Sequence, residues 1–112
     1  MPNNFTDYER EAMRTAPPTR SDTDDLILGA LGLAGEAGEY ADHVKKQLYH
    51  NHHKDREKAL DELGDCLWYL THAARSWQSS LGDIAYRNSI KLRRRYPEGF
   101  QFEKSINREE WR

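Results

Sequence analysis

The sequence predicts an all-α protein with a four-helix bundle-like architecture. Two long stretches carry apolar residues at helical threes and fours, and nothing in the chain reads as a credible strand. Proline, or short polar side chains suited to helix caps, separate each periodic stretch from the next.

The first helix covers Phe5 to about Thr15, with Asn4 or Thr6 as its N-cap. Ala16-Pro17-Pro18-Thr19 ends it, because neither proline supplies a helical N–H. Ser21, Asp22 or Thr23 then caps a long second helix reaching about Tyr49. Its Ala30, Leu33, Ala34, Ala37, Ala41, Val44 and Leu48 make one apolar stripe. The polar run from His50 to Lys54 reads as a turn. Asp55 caps a third helix running to about Gln78, with a stripe of Ala59, Leu63, Cys66, Leu70, Ala73, Ala74 and Trp77. Ser80 with Asp83 resembles a capping box and opens a fourth helix through Ile84, Asn88, Lys91 and Arg95. Pro97 and Gly99 close that helix, and 101–112 reads as a partly ordered polar tail.

A chain of 112 residues fits one domain. With 37% hydrophobic and 32% charged residues its core is lean, so part of the apolar surface is expected to be buried between subunits. A net charge of −2 supplies no basic field for nucleic acid. The single cysteine, Cys66, excludes an intrachain disulfide and fits a reducing compartment, where a buried inert thiol is expected. The first residues lack an apolar signal core, and no apolar run approaches the roughly 20 residues of a membrane span. A soluble cytoplasmic protein with no membrane or nucleic-acid partner is the expectation.

Chemistry concentrates in two acidic pairs, Glu36/Glu39 and Glu62/Asp65, each at i,i+3 on one face of a long helix. Four carboxylates converging from two helices repel one another unless a positive charge sits among them. The hard cations Mg²⁺ and Mn²⁺, which prefer oxygen ligands, are the natural occupants. Acids at this spacing also mark ordinary solvated faces, and Glu62 has Lys58 as an i,i+4 partner. Such a pair contributes only about 0.2–0.5 kcal/mol. Three features favour a site. Glu36 and Glu39 lack lysines at i+4. Glycines 32, 35 and 38 each cost about 1 kcal/mol within a helix, which fits close approach by another helix, a metal or a ligand. Lys91, Arg93, Arg94 and Arg95 can meet phosphate charge.

Three segments then resemble the MazG-like nucleotide pyrophosphohydrolases, of the all-α NTP pyrophosphatase superfamily. They are Leu31-Gly-Leu-Ala-Gly-Glu36-Ala-Gly-Glu39 with Asp42, Glu62-Leu-Gly-Asp65-Cys-Leu-Trp68-Tyr69-Leu70, and Asn88-Ser-Ile-Lys91-Leu-Arg-Arg-Arg-Tyr96-Pro97-Glu-Gly99-Phe100. The resemblance spans about 26–100. It implies a homodimer or homotetramer that hydrolyses nucleoside triphosphates to the monophosphate and pyrophosphate with Mg²⁺, Mn²⁺ substituting. It assigns metal binding to Glu36, Glu39, Glu62 and Asp65. It assigns triphosphate contacts to Asn88, Lys91 and one or more of Arg94, Arg95 and Tyr96. Tyr40 and the His50–His53 loop depart from the family pattern.

In the expected reaction water attacks the α-phosphorus, with Glu36 or Glu39 as proton acceptor. Trp68, opposite the apolar stripe of its helix, is a candidate for stacking on the base or for a subunit interface. His43 and His72 lie on the acidic seams, where a hydrogen bond to a carboxylate accounts for them. The His50–His53 cluster reads as a solvated turn, and an HNH nuclease would need a ββα context that is absent. A di-iron bundle needs Glu-x-x-His motifs, and no Glu here has His at i+3. The remaining alternative is a non-catalytic helical interaction protein whose acidic face binds a basic partner.

Overall fold

Residues 4–19, 21–49 and 55–100 are described by the structure, a computed structural model. The expected His50–Lys54 turn and the 101–112 tail lie outside the described residues. Four helices follow in order, α1 (Phe5–Met13), α2 (Asp22–Tyr49), α3 (Arg56–Ser76) and α4 (Leu81–Arg95). The described residues hold no strand, only an isolated bridge between Pro97 and Gly99. Among them, no helix is long and apolar enough to cross a membrane.

Short polar side chains set the helix starts, as N-cap chemistry requires. The Asn4 side chain accepts from the Asp7 N–H at 2.8 Å. Ser21 Oγ accepts from Asp24 at 3.2 Å, and Asp55 accepts from Lys58 at 3.0 Å. The start of α4 is held from a distance, with the Leu81 N–H donating to the Glu9 carboxylate of α1. At the end of α3, Gln78 turns into the left-handed region at φ 55° and Ser79 N–H bonds back to Ala74 O at 2.9 Å.

The chain divides into two compact units between Leu81 and Gly82. In the first, α2 packs along α3 and α1 packs on α3. The buried core is small, as the lean composition implies: Ala12, Gly29, Thr71, His72, Ala74 and Leu81. Trp68 joins α1 to α3, its indole N–H donating to Ala12 O at 3.1 Å and Thr15 Oγ at 2.9 Å. Its ring stacks on His72, the centroids 5.7 Å apart. The second unit carries the rest of α4, where Arg87 pairs with Asp83 at 2.9 Å.

Of the expected apolar stripes, Ala73 meets α2 and Ala74 is buried, but most of the rest does not make the α2–α3 contact. Ala30, Ala34, Ala37, Ala41 and Leu48 on α2 are exposed, as are Leu63, Leu70 and Trp77 on α3. The face with small and polar side chains packs inward instead. The cause is steric. A Cβ on Gly29 would lie 2.9 Å from the Ala73 Cα, so the two backbones approach closely there. One turn on, the Tyr69 ring fills the place of a Gly32 side chain, 2.1 Å from where its Cβ would stand. Gly35 and Gly38, expected to mark close approach as well, have nothing within 4 Å.

This contrast predicts opposite signs in one mutant series. Gly32→Ala forces Tyr69 out of place and destabilises by about 1–3 kcal/mol. Gly35→Ala and Gly38→Ala, in open space, each stabilise by about 0.5–1 kcal/mol through helix propensity. Thermal and urea denaturation of the three variants measures both effects.

Candidate active site

Each α3 residue in the series Glu62, Asp65, Tyr69 and His72 lies about one turn from the next, on one face of the helix. Antiparallel to them run Asp25, Gly32, Glu36 and His43 of α2. Because the glycines draw this face of α2 against α3, acids that a polar helix would turn to solvent line the contact. Glu36 and Asp65 share a pocket with Trp68 and Tyr69. Glu39 remains exposed.

The electrostatics follow from the placement. Loss of solvation pushes the Glu36 carboxyl above its ordinary range, and the charges of Asp65, Glu39 and Glu62 push it further. The other three acidic residues singled out in the sequence therefore all act on Glu36. The Cys66 thiol is raised by desolvation and then by Glu36, Asp65 and Glu62. Lys46 is raised chiefly by its hydrogen bond to Asp42, at 2.9 Å, with Glu39 and Glu62 adding to the effect. That lysine is thus engaged by an acid outside the four.

Glu62 is the most enclosed of them, its side chain 13% exposed. Both carboxylate oxygens are buried and accept no hydrogen bond. Its ion-pair partner is His43, with Nδ1 at 3.4 Å from Oε1, rather than the expected Lys58. No three His, Cys, Asp or Glu side chains among the described residues converge tightly enough, as they stand, to hold an ion. The donor set still fits a hard divalent cation. It is all carboxylate, it repels itself, and Glu62 holds two unpartnered oxygens out of water.

Trp68, a candidate base-stacking residue, is half-buried with one face on His72 and its N–H bound to α1, so the ring is rigidly held. Asn88, Lys91 and Arg94 are exposed on α4 in the second unit, and Arg95 and Tyr96 are half-buried there. The Tyr96 ring lies 5.6 Å from that of Phe100. One neighbour of the acids escaped sequence reasoning. Tyr8 of α1 has its phenol raised by burial and by the charge of Asp65, and no sequence signal ties residues so far apart. His43, expected on the acidic seam beside a carboxylate, does lie beside one, Glu62.

Residues 28–100 match the family model of the MazG nucleotide pyrophosphohydrolase domain. The chain is similar to the Gene 37 protein of Mycobacterium phage L5, at 37% identity over 73 residues. That stretch is 62% of this chain and 64% of the phage protein, so the chain spans less than two thirds of its relative. No solved structure matches.

The raised Glu36 carboxyl gives a pH expectation. Its contribution to stability is complete below the ordinary glutamate range and is lost as pH rises through its raised pKa. In metal-free protein, side-chain NMR titration is expected to place the Glu36 pKa above the ordinary glutamate value. Asp65→Asn moves it part of the way down, because desolvation, the larger cause, remains. A Glu36 pKa unchanged by Asp65→Asn would show that the two carboxylates do not interact.

Proposed function

This chain belongs to the MazG nucleotide pyrophosphohydrolase family, and on that premise we propose that it hydrolyses nucleoside or deoxynucleoside triphosphates to the monophosphate and pyrophosphate. One observation carries the reading: Glu36 feels Asp65, Glu39 and Glu62 together, so the four carboxylates form one electrostatic cluster. Such a cluster is stable as a cation site and costly as anything else.

Glu36, Glu39, Glu62 and Asp65 would hold the ion, Mg²⁺ with Mn²⁺ as a substitute. When bound, it neutralises charge on the phosphate oxygens and lowers the pKa of a coordinated water. The residues of the chain supply the rest. Water oxygen bonds to the α-phosphorus, the bond from the α-phosphorus to the bridging oxygen breaks, and pyrophosphate leaves with that oxygen. Glu36, which shares a pocket with Asp65, is the first choice to accept the water proton. Glu39 is the alternative base. Asn88, Lys91, Arg94, Arg95 and Tyr96 provide hydrogen-bond donors and positive charge for the triphosphate. Trp68, held edge-on to Tyr69 with ring centroids 4.9 Å apart, offers a rigid surface for stacking a base.

The exposed apolar residues on α2, with Leu31 69% and Leu48 60% exposed, support a homodimer or homotetramer. A cytoplasmic setting in nucleotide-pool housekeeping agrees with the single free cysteine.

The test is pyrophosphate release from a panel of canonical and modified triphosphates, with Mg²⁺ and with EDTA. Metal-dependent release is expected, and Glu62→Gln is expected to lower kcat at least about 10³-fold. A folded chain that releases nothing from any substrate would favour a non-catalytic helical interaction protein instead.

A further inference from the structure

We propose that His43 is a positioning residue for Glu62, fixing the orientation of that carboxylate as a cation ligand. The inference rests on the cation-site reading above and adds a residue that neither the motif carboxylates nor the family match assigns.

Four observations carry it. The His43 side chain is only 10% exposed, and its Nδ1 is 3.4 Å from Glu62 Oε1. Both Glu62 oxygens are buried without a hydrogen bond, so His43 is the polar group at hand to orient them. The Gln47 side-chain amide, one turn further along α2, lies against His43 Nε2. The other ring nitrogen, Nδ1, faces Glu62. Finally, His43 Nε2 lies 3.3 Å from the carbonyl of Asp55, the N-cap residue of α3. The imidazole is thereby lodged between the start of α3 and its first acidic residue. A carboxylate on a long flexible side chain must lose rotamer freedom to bind an ion. A partner that holds it beforehand removes part of that cost.

The 3.4 Å separation exceeds that of a fully formed hydrogen bond. His43 therefore steers Glu62 while leaving both its oxygens able to accept a cation. Gln47 acts through His43, by holding the ring in place. Partners of this kind behind metal ligands typically contribute 10–100-fold in metal affinity.

The test is calorimetric titration of the metal-free full chain with MnCl₂ alone, which reads binding without turnover. Two variants of similar size separate the donor from the bulk. His43→Asn keeps an amide N–H near the Nδ1 position, whereas His43→Leu has none. The Leu variant is expected to bind Mn²⁺ about 10–100-fold more weakly, and the Asn variant within about threefold of wild type. Leu binding as tightly as wild type overturns the proposal. So does a folded Asn variant, verified by circular dichroism, that loses tenfold or more, a result that decides the matter even if the Leu variant does not fold. A wild-type chain that binds no Mn²⁺ overturns the cation-site reading itself, a separate failure.

Discussion

Everything in the first unit depends on how closely α2 approaches α3 at Gly29 and Gly32. With no Cβ at either position, the Ala73 backbone and the Tyr69 ring come into the space a side chain would occupy. That approach fixes which face of α2 packs inward. Van der Waals contact along a glycine face outweighs the burial of an alanine stripe, because each alanine contributes little apolar area. The consequence is electrostatic. Glu62 is carried into the contact with both oxygens buried, and the half-buried Glu36 feels its charge and that of the exposed Asp65.

A structure that spends stability in this way has a local conflict, and such conflicts mark sites of function. The enclosed Glu62 is the clearest instance, with two buried oxygens and a histidine as its ion-pair partner. Around it the scaffold is stiff. Trp68 is bonded to α1 and stacked on His72, and His72 lies 3.6 Å from Asp25, which in turn accepts from Thr19. Aromatic and acidic groups thus lie side by side along one helix contact.

The helix boundaries were legible because caps are local chemistry. Asn4, Ser21 and Asp55 each bond the backbone N–H three residues on. The acidic pairs were legible for the same reason, since i,i+3 spacing fixes a shared face. Periodicity also identified the apolar stripes correctly as stripes, but it cannot say whether a stripe turns towards another helix of the same chain. Gly29 decided that, and one glycine in a helical run carries no signal of the backbone that will approach it. The Glu9–Leu81 bond, the place of Tyr8 near Asp65 and the open space at Gly35 and Gly38 arise only when distant segments meet.

The central claim is that these carboxylates form a cation site, and ligand-linked stability tests it most directly. Thermal unfolding of the metal-free chain should be followed against MgCl₂, with NaCl at matched ionic strength as the reference. The account predicts a melting temperature that climbs with Mg²⁺ and gains about 2.7 kcal/mol of stability at one hundred times the dissociation constant. That gain disappears in Glu62→Gln. A melting temperature equal in the two salts across the whole range would contradict it.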